Sequence, residues 1–205
     1  MAYFPLCINL NGADVLLLGE GKALKEKMNI LLSFGANIRL LSEITDSLWE
    51  SHPSVHPEHR SFTEADLEPR PALVVVADMP LTEKERISNL CKEKGIPVNV
   101  VDTPALCSFY FPSLMTRGDL TLAVSTGGKS PGGAAWLCRH LEKHIPDETE
   151  AILEWANSVR KKLQTKYSEA ERKAILRQTI DQALSENRIP EEQELLTIIE
   201  KYTVK

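Results

Sequence analysis

A carboxylate and a nearby turn rich in hydroxyls and glycines are the parts of this sequence best suited to chemistry. Asp102 follows an apolar run at residues 98–101, which predicts a buried strand. An acid at the carboxyl end of a strand lies where open α/β sheets bind their ligands, and it can accept a proton there. The alternative is that Asp102 caps a loop, because Asp before Thr-Pro is ordinary turn chemistry. The spacing does not decide between these two roles.

The hydroxyl-rich turn follows a second predicted strand. Residues 120–124 are apolar, and residues 125–131 read Ser-Thr-Gly-Gly-Lys-Ser-Pro.

A phosphate-binding turn is predicted near the start of the chain. Residues 13–18 predict a strand, which leads into Gly19 and Gly21 and then into an amphipathic helix over residues 22–34. Glycines at these positions let the backbone turn tightly and approach a pyrophosphate at a helix start. The third small position of this fingerprint is Leu24 here, which weakens the match.

An acid that could bind a ribose follows the next predicted strand. Glu43 comes after residues 37–41, at roughly the twenty-residue offset at which an acid binds the ribose hydroxyls of NAD. No Arg adjoins it, so the sequence favours NAD over NADP. The other interpretation of Glu43, an acid at a helix start, has similar weight.

The surrounding segments alternate between strands and helices. Residues 71–77 predict a buried strand that ends at Asp78, and a helix to about residue 94 leads to the strand before Asp102. Continuous apolar strands joined by helices predict an α/β fold with a Rossmann-like parallel sheet.

Two further segments complete the N-terminal part. Residues 3–10 predict a strand that forms a hairpin with residues 13–18 through Asn11-Gly12. Residues 42–70 are interrupted by turns that contain His and Pro. Their three histidines match no standard ligand spacing, so a solvated loop is favoured over a metal site. These histidines are His52, His56 and His59.

The rest of the chain is predicted to be helical. A helix runs from Pro131 to about residue 144, and three more begin near Asp147, Ser168 and Pro190. This tail predicts a second, smaller all-helical domain.

Composition narrows the class of protein. The chain has 205 residues, is 42% hydrophobic and 26% charged, and carries a net charge of −5, which argues against a nucleic-acid binder. The four cysteines form no Cys-x-x-Cys pair, so neither zinc nor a disulfide framework is expected. The sequence shows no signal-peptide pattern and no run of membrane-spanning length, so we expect a cytoplasmic protein without a membrane partner.

Taken together, these motifs resemble the precorrin-2 dehydrogenase/sirohydrochlorin ferrochelatase family of siroheme biosynthesis. The matches keep their order and spacing across roughly residues 1–145. They are YFPL at the start, the strand into Gly19-Glu20-Gly21, VNVVD-x-P at 98–104, F-x-F-P at 109–112, Arg117-Gly118, and STGGKSP at 125–131.

The resemblance implies an NAD-linked oxidation of precorrin-2 to sirohydrochlorin, and in some members the insertion of ferrous iron or cobalt. It implies that Asp102 is the catalytic residue. It also implies a cofactor site and a tetrapyrrole site, with no resident metal. The cofactor residues would be Gly19, Gly21, Lys22, Ala23, Glu43, Ile44 and Asp78, and the tetrapyrrole residues Ser125, Thr126, Lys129 and Ser130.

The resemblance also implies a homodimer that crosses in the region of residues 120–141. We therefore expect an NAD-binding domain at residues 1–113, a small dimerisation and tetrapyrrole-binding segment at 114–146, and a helical domain at 147–205.

The chain departs from the family pattern mainly at the dinucleotide turn. Relatives commonly have three glycines followed by x-Val-Ala-x-Arg-Lys, so Glu20, Leu24 and Glu26 are unusual. The family's Asp-Asp pair is Asp78-Met79 here, and an Arg after Pro131 is missing. Three hypotheses therefore stay open: a dehydrogenase, a chelatase or tetrapyrrole carrier with a degenerate NAD site, and a non-catalytic dinucleotide sensor. A sensor would not need Asp102.

Overall fold

The structure, a computed structural model, describes residues 3–43 and 52–203. By compactness the chain divides into two units, Met1–Phe111 and Pro112–Lys205. No described helix is long and apolar enough to cross a membrane.

Five parallel strands form the sheet of the first unit, in the order β3-β2-β1-β4-β5. This order confirms the predicted Rossmann-like fold. The strands are β1 (Asp14–Leu18), β2 (Asn37–Leu41), β3 (Val55–Glu58), β4 (Leu73–Val76) and β5 (Val98–Val100).

Helices cover both faces of this sheet, which explains why its central strands are continuously apolar. Alternate residues of β1 point to opposite faces. Val15 and Leu17 join a core with helix α1 (Gly21–Ser33), whereas Leu16 and Leu18 join a core with helix α2 (Leu81–Glu93). Both helices begin just after a strand ends, so their first turns lie at the carboxyl edge of the sheet.

The prediction of a strand at residues 3–10 is wrong. That segment belongs to neither sheet, and Phe4 is 87% exposed. The Asn11-Gly12 turn itself forms, with Gly12 at φ 71°. A hairpin partner has no place beside β1, because β2 and β4 already occupy its two edges.

The loop predicted around His52, His56 and His59 is in part an edge strand. β3 pairs with β2 in parallel, and Arg39 stands opposite His56. Pro57 hid this strand from sequence reasoning, because proline is tolerated in a sheet mainly at its edge. Among the residues that the structure describes, no three His, Cys, Asp or Glu side chains form a metal cluster.

An ion pair between an exposed arginine and a buried aspartate ties the chain after β3 to a short 3₁₀ turn (Glu64–Leu67). Asp66 is buried, and its two oxygens accept hydrogen bonds from the Arg60 guanidinium at 2.8 and 2.5 Å. The Thr63 amide also donates to Asp66, at 2.7 Å. The hydrogen bonds from Arg60 are the main reason that the pKa of Asp66 lies well below its usual range, and those from Thr63 add to the effect.

The second unit begins with an antiparallel pair that packs against one helix. The predicted strand Leu120–Val124 is confirmed as β7, while its partner β6 (Ser113–Arg117) was not predicted. The predicted helical tail is also confirmed, with Ser168 forming a capping box at one helix start. The helices are α3 (Pro131–Glu142), α4 (Thr149–Leu163), α5 (Glu169–Glu186) and α6 (Glu192–Thr203).

Candidate functional site

The turn between β1 and α1 requires glycine. Gly19 has φ 100° and Gly21 has φ 87°, a region that side chains rarely adopt. A Cβ on Gly19 would lie 2.8 Å from the carbonyl oxygen of Ala77, at the end of β4. The Gly19 amide donates to the Leu41 carbonyl at 3.0 Å, so the turn is fixed between both neighbouring strands.

The start of α1 is suited to an anion. Glu20 precedes the helix in an extended conformation, and no side chain caps the first amides. Uncapped amides at a helix start are ready donors to a phosphate, and the cradle that a Cβ would fill lets a pyrophosphate approach them. The predicted glycine residues therefore fit a dinucleotide.

The other predicted residues near this turn differ in their surroundings. Lys22 is exposed and lies 3.9 Å from Glu26, while Ala23 is half-buried. Asp78 approaches the turn, with Oδ2 3.5 Å from the place of a Cβ on Gly21. Asp78 thus puts a carboxylate close to the turn, and a second acid, Glu20, directly precedes the helix start in sequence.

Glu43 lies two residues beyond β2, on the edge that carries Gly19. Its carboxylate is exposed and accepts a hydrogen bond from the Ser61 hydroxyl at 3.1 Å. A carboxylate held in this way has acceptor capacity left for ribose hydroxyls. Ile44, its predicted neighbour in the site, lies outside the described residues.

Asp102 follows β5 in an unusual backbone conformation. Its φ is 59°, in the left-handed region. Its carboxylate is exposed, and within the described residues it has neither a hydrogen bond nor an ion pair. Non-glycine residues in this region cluster at functional sites, where the surroundings hold them in place.

One edge of the sheet brings these groups together. β1, β4 and β5 are adjacent and parallel, and their carboxyl ends lead into Gly19, Asp78 and Asp102 respectively. The Val101 amide donates to the Val76 carbonyl at 2.8 Å, which extends the pairing up to Asp102. The edge therefore carries both the glycine turn and a carboxylate that makes no hydrogen bond or ion pair with the part of the chain that the structure describes.

Sequence reasoning missed three side chains that hold the loop after β5. The Lys84 ammonium donates to the Val101 carbonyl at 3.3 Å, and the Ser88 hydroxyl donates to the Leu106 carbonyl at 2.7 Å. The thiol of Cys107 accepts from the Val100 amide at 3.2 Å. The i,i+4 spacing of Lys84 and Ser88 on α2 was the available signal, but it does not reveal their target.

In the second unit, several polar groups of the hydroxyl-rich turn form hydrogen bonds within the turn. Thr126 Oγ1 accepts from the Ser130 amide at 3.0 Å and donates to the Ser130 carbonyl at 3.1 Å. Ser130 Oγ accepts from the Gly133 amide at 3.2 Å and so caps α3, while Ser125 Oγ accepts from the Gly127 amide at 3.2 Å.

The remaining donors of this turn face solvent. The hydroxyl hydrogens of Ser125 and Ser130 are not used by these bonds, and the Lys129 side chain is exposed. Gly127 and Gly128 both have positive φ, 63° and 82°. Successive amides in such a turn form a concave anion-binding nest. The turn can therefore bind carboxylates through Ser125, Lys129 and Ser130, with Thr126 as its internal brace.

The Arg117-Gly118 motif has a structural use. The Arg117 guanidinium donates to the carbonyls of Ile145 at 3.1 Å and Pro146 at 2.6 Å, just before α4. Gly118 has φ 53°, and a Cβ there would collide with the Glu150 carboxylate. The motif thus attaches the β6-β7 hairpin to the helical tail.

Comparisons with known proteins agree with this geometry. Residues 6–113 match the family model described as "Putative NAD(P)-binding". The Siroheme synthase of Nitrosomonas eutropha is 32% identical over 175 residues, which cover 83% of this chain and 37% of that protein. The Siroheme synthase of Ectopseudomonas mendocina is 39% identical over 149 residues, which cover 71% of this chain and 32% of that protein.

A solved structure shares the fold over nearly the whole chain. The protein titled "SirC, precorrin-2 dehydrogenase" matches with a TM-score of 0.69 and 22% identity, covering 98% of this chain and 100% of that one. The chain spans about a third of the length of the curated relatives described above. The expected NAD cofactor agrees with the matching family. The chain belongs to this NAD(P)-binding family, and its resemblance to the precorrin-2 dehydrogenase/sirohydrochlorin ferrochelatase family is confirmed.

Proposed function

We propose that this chain is an oxidoreductase that uses NAD to convert precorrin-2 to sirohydrochlorin in siroheme biosynthesis. The observation that carries the proposal is Asp102, exposed and without a partner among the described residues, on the sheet edge that also bears the Gly19 turn. The names of the relatives and of the structural neighbour support the choice of substrate.

The reaction removes two hydrogens from the macrocycle, one as hydride and one as a proton. NAD⁺, when bound, supplies the hydride acceptor. A carboxylate beside the reacting carbon takes the proton, and Asp102 fills that role because no arginine or lysine of the described chain neutralises it. The hydride leaves from a carbon–hydrogen bond, and the proton leaves from a neighbouring nitrogen–hydrogen or carbon–hydrogen bond. The electron pair that the proton leaves behind forms a new double bond in the macrocycle.

Residues of the first unit would hold the dinucleotide. The amides at the start of α1 would donate to the pyrophosphate, and Gly19 and Gly21 would allow it to approach. Lys22 and Ala23 would adjoin it on the first turn of the helix, and Asp78 would face it from β4. Glu43 would accept from the ribose hydroxyls, oriented by Ser61. A carboxylate there repels a 2′-phosphate, which favours NAD over NADP.

We place the carboxylate-binding part of the tetrapyrrole site at the turn of residues 125–131. Ser125, Lys129 and Ser130 would donate to the acidic side chains of the macrocycle. Thr126 would keep the turn in shape.

A homodimer is part of the same proposal. On α3, Trp136 is 58% exposed, and Leu137 and Leu141 are also exposed. Large apolar side chains on one helix face indicate an interaction surface, and a second copy of the chain is its proposed occupant. We further propose a cytoplasmic location, since all four cysteines are free thiols.

A second candidate is a chelatase or tetrapyrrole carrier that has lost the redox step. The observations in its favour are the Asp78 carboxylate close to Gly21 and an acid, Glu20, directly before the helix start. Both would oppose the negative charge of a pyrophosphate. In that case ferrous iron or cobalt is a substrate, and Asp102 accepts the protons that the metal displaces from the pyrrole nitrogens.

Two absorbance assays separate the candidates. In the first, purified protein receives precorrin-2 and NAD⁺, and the proposed dehydrogenase produces NADH together with the sirohydrochlorin spectrum. In the second, it receives sirohydrochlorin and ferrous iron without NAD. Activity in the second assay alone identifies a chelatase. Absence of activity in both assays, with NAD bound in a calorimetric titration, would leave the dinucleotide sensor.

A further inference from the structure

Asp102 sits in a short loop whose two ends are fixed. The loop runs over residues 101–107, between β5 and the segment that returns along it. The Thr103 amide donates to the Val100 carbonyl at 3.2 Å, and the Ser108 amide donates to the Val98 carbonyl at 2.8 Å. The loop therefore closes back on the strand that leads into it.

Helix α2 reaches this loop with two donors. Lys84 bonds the carbonyl of Val101, immediately before Asp102, and Ser88 bonds the carbonyl of Leu106, near the other end. The two residues are one turn apart on the same face of the helix. Ser88 is fully buried, so its bond to Leu106 is shielded from competing water.

The thiol of Cys107 occupies the inside of the loop. It accepts from the Val100 amide and lies 3.2 Å from the Val100 carbonyl, to which it can donate. Burial raises the pKa of this thiol, which keeps it protonated and able to donate at neutral pH. The chemical reactivity of this thiol therefore reports whether the loop keeps its bonds to β5.

We propose that Lys84 and Ser88 are positioning residues for the Asp102 carboxylate. The Val101 carbonyl belongs to the same peptide plane as the Asp102 amide, so a bond to that oxygen fixes the plane from which the φ of Asp102 is measured. A left-handed aspartate persists where its surroundings hold it. α2 begins just after Asp78, so one helix connects the cofactor edge of β4 with the loop that carries the proton acceptor.

The first test measures loop closure without reference to any activity. In a Cys7→Ser background, which removes the exposed cysteine, the rate of iodoacetamide labelling at Cys107 is followed by mass spectrometry. Loss of the buried bond in Ser88→Ala should raise the rate about tenfold, and Lys84→Met about threefold, since the second bond is longer and less buried. Cys91 and Cys138 are buried and serve as internal references for global unfolding.

Glu85→Gln is the matched control, because it also removes one charge from α2. Glu85 is exposed, adjoins Lys84 in sequence and, within the described chain, makes no side-chain hydrogen bond or ion pair. The labelling rate of Cys107 in this variant should equal that in the parent protein. Equal rates in Ser88→Ala, Lys84→Met and Glu85→Gln would overturn the positioning role.

The second test rests on the proposed function. Lys84→Met should lower kcat for precorrin-2 oxidation about tenfold while KM and the affinity for NAD stay unchanged, and Lys84→Arg should restore most of kcat because it keeps a donor. Full turnover by Lys84→Met and Ser88→Ala would overturn the inference. If the unmodified protein does not oxidise precorrin-2, the proposed function fails, and the labelling rates still decide whether the two residues hold the loop.

Discussion

Replacing Gly19 with alanine should distort the turn between β1 and α1, through backbone strain and through a collision with the end of β4. An alanine at φ 100° is strained, and its Cβ would lie 2.8 Å from the Ala77 carbonyl oxygen. That oxygen is backbone at the end of a central strand, so it cannot move aside as a flexible side chain would. The turn itself has to shift.

Gly12→Ala supplies the matched comparison. Gly12 also has positive φ, 71°, but a Cβ there meets no atom within 4 Å. The strain of a left-handed alanine costs about 1–2 kcal/mol at either position. The collision at Gly19 adds about 1–3 kcal/mol, the usual cost of forcing an atom into packed structure. The difference between the two variants therefore reports the close approach of the turn to β4 together with the larger φ of Gly19.

Urea denaturation gives the two free energies of unfolding, and calorimetric titration gives the affinity for NAD. Gly19→Ala should be less stable than Gly12→Ala by about 1–3 kcal/mol and should bind NAD at least about tenfold more weakly than the wild type, because displaced amides no longer meet the pyrophosphate. Gly12→Ala should bind NAD normally. Equal stability of the two variants, with NAD affinity retained in Gly19→Ala, would refute the close-approach argument.

Three other substitutions test separate parts of the structure. Asp102→Asn should lower dehydrogenase turnover by about a hundredfold or more without loss of stability, because asparagine tolerates the left-handed backbone but cannot take a proton; full turnover would exclude Asp102 as the base. Asp66→Asn should cost about 1–3 kcal/mol at neutral pH. Arg60 lowers the pKa of Asp66, so the wild type should lose this stability as the pH falls below the usual aspartate range, and the variant should not; parallel acid-unfolding curves would contradict this. Arg117→Met should lower the melting temperature by leaving the Ile145 and Pro146 carbonyls without their donor, whereas Lys129→Met should not.

The sequence predicted the central sheet well, because its strands are apolar on both faces and this pattern is local. β2 and β7 have the predicted bounds, and the helix stops at Gly35 and Gly95 follow from the positive φ that glycine permits. Residues 3–10 have an equally convincing strand pattern. They fail to pair because both edges of β1 are occupied, which is a property of the whole sheet and cannot be read from the segment.

Some residues of the candidate site could be predicted from local sequence, and others could not. Gly19, Asp78 and Asp102 were predicted because each follows a strand, and parallel strands bring their carboxyl ends to one edge. Lys84 and Ser88 were not predicted, since their targets are backbone carbonyls distant in sequence. Carbonyl groups carry no sequence signal. Such contacts depend on how the loop packs against α2 in the folded chain.

The strand order brings the glycine turn and Asp102 to the same edge of the sheet. β4 lies between β1 and β5, so the glycine turn and Asp102 stand on strands separated by a single neighbour. That neighbour is followed by Asp78 and then by α2, whose Lys84 contacts the peptide before Asp102. We therefore expect a displacement of the turn after β4 to shift both the proposed phosphate-binding amides, through Ala77 and Gly19, and the proposed proton acceptor, through Lys84. Because the two contacts share β4 and its helix, the proposed cofactor turn and the Asp102 carboxylate should change position together.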